Sequence, residues 1–203
     1  MRKPKLRELG EAVKSLFSLP YTSKFPKVAH KPFERFRGKP EFHQDYCIGC
    51  TACVQVCPAK AIEFCDQMSN GRAKRVLTVH WDICIACGQC QANCPPAKGI
   101  VLSQEFDLTT RGKREDLKQT IEKEMEVCAC CNEMIAPLDQ IIWVAKKLGP
   151  LTFSNASLML FYLKNIGISI KEALTKKDDS EIKRSDRIKV LCPRCRREAV
   201  IKS

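Results

Sequence analysis

The sequence has few aromatic residues and no long apolar run. Aromatic residues make up 7% of the 203 positions, too few for a platform on which the bases of single-stranded nucleic acid stack. The most apolar stretch, residues 151–163, is interrupted by Thr152, Ser154, Asn155 and Ser157. It is also shorter than the roughly 20 apolar residues that a membrane-spanning helix needs. No spanning helix is therefore expected.

Residues that carry substrate-level chemistry are scarce as well. The only histidines are His30, His43 and His80, and the last two stand at equivalent positions of a repeat described below, which favours a structural role. The sequence has no glycine-rich phosphate loop, no paired carboxylate set and no Ser/His/Asp arrangement. We therefore expect no substrate-level active site within this chain.

The N-terminal sequence also argues against export. Residues 1–17 are basic but contain neither an apolar core nor a small-residue cleavage site, so a secretory signal is not expected. Cysteine, by contrast, is abundant, with 14 residues in the chain. In a cytoplasmic protein such cysteines are reduced, and they indicate metal binding rather than disulfides.

Eight of the cysteines form two similar blocks. The first block runs from His43 to Pro58 and the second from His80 to Pro95, so that the offset between them is 37 residues. An extra proline, Pro96, then shifts the register by one position. Each block contains the run C-x2-C-x2-C-x3-C-P. The two halves are therefore expected to be related by a pseudo-twofold axis.

This cysteine spacing is that of bacterial ferredoxins with two [4Fe–4S] clusters, in which the fourth cysteine of each run ligates the other cluster. In such tight loops, backbone N–H groups point toward the sulfur atoms and stabilise their negative charge. A pair of zinc knuckles is the alternative, but a zinc site needs no repeated four-cysteine run ending in proline. The predicted ligands are Cys47, Cys50, Cys53 and Cys94 for the first cluster and Cys84, Cys87, Cys90 and Cys57 for the second.

The segment between the two blocks has the pattern of a β-hairpin. Ala61–Asp66 and Lys74–His80 are predicted strands, and Asn70-Gly71 is a turn signal near their junction. Cys65, on the first of these strands, is outside both runs. We expect it to be a buried apolar side chain, with the alternative that it lies close enough to a cluster to tune it.

Residues 43–104 resemble the dicluster ferredoxin domain of electron-transfer subunits. Phe36–Ile62 resembles the complex I subunit that carries two [4Fe–4S] clusters, and resembles still more its counterparts in formate hydrogenlyase and other membrane-bound [NiFe] hydrogenases. The closer resemblance rests on Cys94–Leu108 and on a C-terminal four-cysteine module. It implies a single-electron relay to another iron–sulfur subunit and, through it, to a [NiFe] centre. The implied location is peripheral, on the cytoplasmic face of the cell membrane.

The C-terminal module contains two further pairs of cysteines. Each pair has C-x2-C spacing, which suits a tetrahedral zinc site with four thiolate ligands. Rubredoxin-type iron uses the same ligands, and a third cluster or no metal are further alternatives. A register with Cys130 in place of Cys131 has poorer spacing. The predicted zinc ligands are Cys128, Cys131, Cys192 and Cys195, and the helical segment between them has an apolar face formed by Ile135, Leu138, Ile141, Ile142 and Ala145.

The N-terminal segment, residues 1–44, is basic, with eleven Lys or Arg and four Asp or Glu. Pro20 ends a predicted amphipathic helix, and the proline-containing arm after it is expected to be extended. One interpretation of the helix is contact with the membrane surface or with membrane subunits. Packing on its own domain and a solvated basic face are the alternatives. The apolar side chains at helical spacing are Leu6, Leu9, Val13, Leu16 and Phe17.

The formal net charge of +12 taken alone would favour nucleic acid or an anionic membrane as a partner. Counting the charges of two clusters, one zinc ion and their thiolates lowers it to about +6. The remaining excess indicates docking surfaces rather than one nucleic-acid groove. It lies in the first 44 residues and in a C-terminal set, Lys183, Arg184, Arg187, Lys189, Arg194, Arg196 and Arg197.

The sequence therefore predicts an α+β protein with a ferredoxin-like two-cluster core. Residues 1–44 are the basic helix and docking arm, and 45–103 the two-cluster domain. Residues 104–126 are a charged linker with a short helix, and 127–203 the helical zinc-binding module. Two alternatives are a free-standing soluble ferredoxin and an iron–sulfur/zinc protein that binds nucleic acid, whose affinity would fall steeply with salt.

Overall fold

The computed structural model describes residues 5–69, 71–167 and 189–201. The chain divides into two units, residues 1–36 and residues 37–203. Each unit is described by itself below. Three of the basic positions in the C-terminal set lie outside the described residues, namely Lys183, Arg184 and Arg187.

The first unit contains the predicted amphipathic helix, α1, which spans Leu6–Phe17. The backbone N–H of Lys5 donates a hydrogen bond of 3.1 Å to the Glu8 carboxylate, which satisfies a backbone donor at the start of the helix. The apolar side chains of α1 are exposed, from 50% at Leu9 to 90% at Leu6. The helix therefore presents its apolar face to the surroundings.

The second unit is built on two antiparallel sheets. The larger has the strand order β2-β3-β5-β6, and the smaller pairs β1 with β4. The strands are β1 (Pro40–Phe42), β2 (Ile62–Ser69), β3 (Arg72–His80), β4 (Ile100–Leu102), β5 (Lys118–Val127) and β6 (Met134–Pro137).

Helices of the second unit are short next to the cysteine runs and longer toward the C-terminus. Within the described residues, no helix has both the length and the hydropathy required to cross a bilayer. Two 3₁₀ turns lie at Arg114–Asp116 and Gly149–Ser154. The helices are α2 (Ala52–Gln55), α3 (Gln89–Ala92), α4 (Leu138–Leu148), α5 (Ala156–Asn165) and α6 (Pro193–Ile201).

The internal repeat is visible in the strand register. Phe42 lies opposite Ile100 in the β1–β4 pair, and Val79 lies opposite Ile62 in the β3–β2 pair. These are equivalent positions of the two halves once the extra proline is allowed for. Together with the buried side chains of Leu77, Ile121, Cys53 and Cys90, they form the core between the halves.

The same symmetry continues where each pair of strands meets a cysteine run. The backbone N–H of His43 donates to the carbonyl of Gly99 at 3.1 Å, and that of His80 donates to the carbonyl of Ala61 at 2.8 Å. Each half is therefore hydrogen-bonded to the other through equivalent atoms. The two histidines therefore occupy equivalent places in the fold as well as in the sequence.

The stretch that ends the charged linker is a strand, so the short helix predicted within residues 104–126 is wrong. Ile121 and Met125 are buried on β5, while the acidic residues between them point away. This period of two is that of a half-covered strand. The density of charged residues hid the alternation, and the only helical turn nearby is the 3₁₀ turn at Arg114–Asp116.

The hairpin predicted between the two cysteine runs is present, but Cys65 on β2 is exposed rather than buried. β2 lies at the edge of its sheet, and most of its side chains face outward. The Cys65 sulfur accepts a weak contact from the Gln67 amide at 3.8 Å. Gly71 has a φ of +75°, as the turn requires, and Asn70 lies outside the described residues.

The strand assignment of β5 predicts the stability of two variants. We expect Ile121→Ala to lower the free energy of unfolding by about 2–5 kcal/mol, because it leaves a cavity between β5 and the core. We expect Glu124→Ala, on the exposed face of the same strand, to change it by less than about 0.5 kcal/mol. Anaerobic urea unfolding followed by circular dichroism measures both, and equal losses would contradict the assignment.

Candidate metal centres

The structure brings the four cysteines predicted for the first cluster to a single cavity. Three of them come from the first cysteine run, and Cys94 comes from the second. The remaining walls are mainly apolar and include Phe42, Leu77 and Ile100. The first cavity is therefore a pocket with four sulfur ligands, contributed by both halves of the repeat. Its cysteines are Cys47, Cys50, Cys53 and Cys94.

A second cavity has the reciprocal composition. Here Cys57 comes from the first run and the other three cysteines from the second. Ile62 and Leu102 line it together with small residues of the second run. Its cysteines are Cys57, Cys84, Cys87 and Cys90. The exchange of the fourth cysteine between the two halves is the arrangement expected from the ferredoxin spacing.

Equivalent backbone turns direct the cysteines into both cavities. Three residues in each half have positive φ, and the pairs they form are each separated by 37 positions. Left-handed turns at alternate positions orient successive N–H groups toward one centre and make an anion-binding concavity. Four of the six are not glycine, so the loops maintain a conformation that L-residues seldom adopt. The pairs are Gly49 with Ala86, Thr51 with Gly88, and Lys60 with Ala97.

Backbone donors already point to the sulfur atoms of the second cavity. The N–H of Ala61 lies 3.2 Å from the Cys57 Sγ atom, and the N–H of Ala86 lies 3.4 Å from the Cys84 Sγ atom. Such donors stabilise a thiolate over a neutral thiol. In the first cavity, a Cβ atom on Gly99 would lie 3.0 Å from the Cys94 sulfur, so glycine leaves the sulfur room.

Burial makes these cysteines poor thiolates by themselves. It raises the pKa of Cys53 to about 12 and the pKa of Cys90 to about 11. A cationic iron centre would compensate the lost hydration and hold the sulfurs deprotonated. In each cavity one cysteine is buried and three are half-buried. Four such sulfurs around a mainly apolar cavity, with backbone N–H groups aimed at some of them, fit an iron–sulfur cluster.

Arg75 on β3 supports the first cysteine loop, which we define as residues 46–51. Its Nη1 group donates to the Gly49 carbonyl at 2.9 Å. Its Nε and Nη2 groups donate to the two carboxylate oxygens of Asp66, each at 2.7 Å. The bidentate ion pair holds the guanidinium in a fixed orientation, so the sheet determines the position of a carbonyl between two cluster cysteines.

Lys123 on β5 supports the same loop from a buried position, with 6% of the residue exposed. Its ammonium group donates to the Gln44 carbonyl and to the Asp139 carboxylate, the latter at 2.8 Å. Asp139 belongs to α4 and Gln44 precedes the first cysteine run. A buried lysine needs such partners to remain charged, and this one connects the cluster domain to the C-terminal module.

The C-terminal module also contacts the first loop directly. A Cβ atom on Gly49 would lie 2.9 Å from the Pro137 side chain and 3.4 Å from Lys123. Gly49 has a φ of +69°, so both conformation and space favour glycine at this position. The close neighbour of Gly49 is therefore the Pro137 side chain of β6.

The second cysteine loop, residues 83–88, is supported by Arg37, which shortly precedes strand β1 of the smaller sheet. Arg37 donates from Nη1 to the Cys87 carbonyl at 3.1 Å, and its stem lies 3.8 Å from a Cβ atom built on Gly88. Arg37 is exposed. Each loop therefore has an arginine bonded to one of its carbonyls. Among the described residues, a carboxylate also fixes the arginine of the first loop, and none is seen bonded to Arg37.

The two C-x2-C pairs of the C-terminal module bring four further cysteine sulfurs together, apart from the two cavities. We call them the C-terminal sulfur group. The Sγ atoms of its four cysteines all lie within 4.8 Å of one another, and those of Cys131 and Cys192 are 3.7 Å apart. A tetrahedral ion with metal–sulfur bonds near 2.3 Å requires sulfur separations of about 3.8 Å. The spacing therefore fits a single metal ion. Its residues are Cys128, Cys131, Cys192 and Cys195.

Backbone hydrogen bonds favour the thiolate form of one of these cysteines, Cys128. Burial raises the pKa of Cys128, but the backbone N–H groups of Cys131, Cys192 and Cys130 outweigh burial and lower it to about 7. The site is built from the turn between β5 and β6 and from the start of α6. Ile135, predicted on a helical face, belongs to strand β6 and packs against this sulfur group. Cys130 is exposed.

Comparison with known proteins agrees with this geometry. A family profile described as a 4Fe-4S dicluster domain matches residues 46–98. Over 123 residues the chain is 37% identical to NADH-quinone oxidoreductase subunit I of Carboxydothermus hydrogenoformans, an alignment that covers 60% of this chain and 87% of that protein. The chain belongs to this family of dicluster iron–sulfur subunits. The family resemblance stated from the motifs is thereby confirmed.

Two further similar proteins are subunits of named complexes. The chain is 38% identical over 120 residues to formate hydrogenlyase subunit 6 of Escherichia coli, which covers 59% of this chain and 64% of that protein. A subunit in the structure of an archaeal membrane-bound sulfane sulfur reductase matches with a TM-score of 0.40 and 30% identity, over 58% of this chain and 62% of that one. The chain thus spans less than two thirds of the length of both.

The cysteines that line the two cavities and form the C-terminal sulfur group are those singled out from the sequence, but the residues that support them were missed. Arg75 is 26 positions from Gly49, and Lys123 is 76 positions from Cys47. Because both are distant in sequence, no local motif marks them. For Lys123 a signal existed, since it occupies the inward-facing position between Ile121 and Met125. A cation at that place in an alternating strand indicates a buried ionic partner.

The support of the first loop by Arg75 predicts a selective defect. We expect Arg75→Gln to destabilise the protein by about 1–3 kcal/mol, because the Asp66 carboxylate loses its charged partner. We also expect iron to leave the first cluster faster than the second when a chelator is added. Visible absorption and EPR follow this loss. Lys74→Gln, which removes an exposed ion pair to Glu122, is the control. Equal behaviour of the two variants would contradict the assignment.

Proposed function

We propose that this chain relays single electrons through two [4Fe–4S] clusters within a membrane-associated, complex I-like oxidoreductase. The complex we propose is of the [NiFe] hydrogenase or formate hydrogenlyase type. Similarity to formate hydrogenlyase subunit 6 and to NADH-quinone oxidoreductase subunit I supports this assignment. The observation that carries it is the pair of four-cysteine cavities with exchanged fourth cysteines.

The chemistry of the relay belongs to the clusters, which accept and release one electron at a time when bound. The chain's own residues hold the sulfurs, exclude water and limit reorganisation. Apolar side chains such as Leu77 and Ile62 line the cavities, and a low dielectric strengthens the effect of every oriented N–H group. In the proposed assignment Cys47, Cys50, Cys53 and Cys94 ligate the first cluster, and Cys84, Cys87, Cys90 and Cys57 the second.

The C-terminal sulfur group is proposed to hold one structural zinc ion. Its four thiolates are complete without an open position, as in structural zinc sites. A [4Fe–4S] cluster would place each cysteine on a different iron atom, and sulfurs within 4.8 Å of one another favour a single ion over such a cluster. Rubredoxin-type iron fits the same ligands and is the alternative that metal analysis separates. The proposed ligands are Cys128, Cys131, Cys192 and Cys195.

The segments keep separate proposed roles in this complex. Residues 1–44 would be the docking arm, with the exposed apolar face of α1 contacting membrane subunits on the cytoplasmic side. Residues 45–103 would be the electron-transfer domain. Residues 104–126 would connect it to the zinc module at 127–203. Other iron–sulfur subunits and a [NiFe] subunit are the proposed redox partners, and nucleic acid is not.

Anaerobic purification of the tagged chain in mild detergent, followed by mass spectrometry, tests the proposed complex. We expect a [NiFe] large subunit, another iron–sulfur subunit and antiporter-like membrane proteins to be retained with the chain. If the chain elutes alone with both clusters intact, a free-standing ferredoxin is the better account. Retention of a different catalytic subunit would keep the relay and replace the hydrogenase assignment.

The crossed ligand assignment predicts an iron stoichiometry. We expect Cys57→Ser to reduce the iron content from about eight to about four atoms per chain, because one of two [4Fe–4S] clusters loses a ligand. Cys65→Ser, at an exposed cysteine outside both cavities, is expected to keep all the iron. Iron analysis together with EPR of the reduced protein measures this, and full retention of iron in Cys57→Ser would refute the assignment.

The C-terminal site predicts a different stoichiometry. We expect Cys192→Ser to lower the bound zinc at least tenfold from about one ion per chain, with cluster iron unchanged, since a four-thiolate site loses a ligand. Cys130→Ser is the matched control, because Cys130 is exposed and lies outside the sulfur group. Elemental analysis decides between the two registers. Loss of zinc in Cys130→Ser would favour the register that uses Cys130.

A further inference from the structure

Of the charged residues in the described part of the chain, only Lys123 is buried. It lies on β5 beside the first cysteine loop, and its Cβ atom is 3.4 Å from a Cβ atom built on Gly49, between Cys47 and Cys50. Joining two parts of the chain does not require a positive charge here, because an apolar side chain fills a buried position at a lower desolvation cost. The charge itself therefore calls for an explanation.

The two partners of the ion pair at Lys123 are unequally buried. The ammonium group donates to the Asp139 carboxylate at 2.8 Å, and the Asp139 side chain is 49% exposed, against 6% for that of Lys123. On its inner side the same group donates to the carbonyl of Gln44, three residues before Cys47. Because water screens an exposed charge more strongly than a buried one, a net positive field remains on the side of the first loop.

This field acts on a cysteine of the first cavity. Burial raises the pKa of the Cys47 thiol, whereas the Gly49 N–H and the charge of Lys123 act in the opposite direction. A charge that favours a thiolate over a thiol also favours any other gain of negative charge nearby. Reduction of a bound cluster is such a gain, because one electron is added and no bond is made or broken.

The cation beside the second half of the repeat has a different setting. Trp81 takes the place of Gln44 in that half, and the ammonium group of Lys39 lies 4.4 Å from the centre of the Trp81 ring. Lys39 forms ion pairs with both Glu41 and Glu105, so two carboxylates outweigh its single charge. We therefore expect the influence of a buried, under-compensated cation at the first cavity and not at the second.

We propose that Lys123 sets the reduction potential of the first cluster. Its buried charge stabilises the reduced form of a cluster held by Cys47, Cys50, Cys53 and Cys94, so that this cluster accepts an electron at a higher potential than its ligands and cavity alone would give. The electron comes from the redox partner of the chain, which is oxidised in the exchange. This inference rests on the proposed assignment of a [4Fe–4S] cluster to each cavity, and adds a residue outside the ligand set that controls the relay.

Anaerobic redox titration of the full chain, with dithionite as reductant and EPR as readout, tests this role. We expect Lys123→Gln to lower the reduced-to-oxidised ratio of the first cluster about tenfold at a fixed potential, which is about 59 mV for a one-electron couple. The step of the second cluster should change less than twofold. Cys57→Ser, which is expected to keep only the first cluster, identifies the two steps. Lys74→Gln, whose ion pair with Glu122 is at the surface, is the control and should move neither.

Asp139→Asn separates the effect of charge from that of structure. It keeps Lys123 and removes the half-exposed carboxylate that opposes its charge, so the reduced-to-oxidised ratio of the first cluster should rise about threefold. This variant also carries the test if Lys123→Gln does not keep its clusters.

A merely structural contact would be weakened in both variants and would shift the first cluster in the same direction. Shifts of the same sign in the two variants, or no shift in Asp139→Asn, would overturn the role of Lys123 alone. If the unsubstituted chain binds no iron and shows no cluster signal in EPR, the proposed function fails first, and the role of Lys123 fails with it.

Discussion

Each cysteine cavity is closed by a residue from the opposite half of the repeat. Cys94 reaches the cavity of the first run, and Cys57 reaches the cavity of the second. Neither half can complete its own set of four sulfurs, so the two halves must pack in one relative position. The antiparallel strand pairs and the buried side chains between them maintain that position. The rest of the second unit is arranged around this exchange.

Strand β5 adds a second layer of support to the segment before the first cysteine run. The Gln119 amide both accepts from the Phe42 N–H at 2.7 Å and donates to the Phe42 carbonyl at 3.2 Å. The Glu122 carbonyl accepts from the Gln44 side chain at 3.1 Å. These bonds attach β5 to the chain just before the first cysteine run. The C-terminal module is thereby connected to the cluster domain through polar contacts as well as packing.

The parts of the structure that were predictable from sequence are those specified by short spacings. Within each cysteine run and at the hairpin turn, the informative residues are only a few positions apart, and ligand geometry leaves few alternatives. The 37-residue offset is visible because the second run repeats the spacing of the first. Three features depended on distant partners instead. The strand at 118–127 was hidden by its charged face, Cys65 was expected to be buried although its strand is an edge, and Arg75 has no local signature.

The asymmetry of the repeat also could not be read from the two runs. Their sequences are alike, and exposure at Ile48 and Ile85 differs because β5 and β6 cover only one of them. Burial is decided by the whole chain, so an internal repeat predicts equivalent conformations and not equivalent environments. The same reasoning explains why the support of the two loops by arginine differs. In the part of the chain that the structure describes, Arg75 has a carboxylate partner and Arg37 has none.

The contact of Lys123 with Asp139 has a consequence for the order in which the protein matures on the ribosome. Residues that line the second cavity, and the arginine that supports its loop, have all been synthesised by Leu102. The first cavity has its cysteines at nearly the same time, but its supporting strand and the carboxylate on α4 come only with Asp139. All residues that line the second cavity are therefore synthesised before the residues of β5 and α4 that support the first loop.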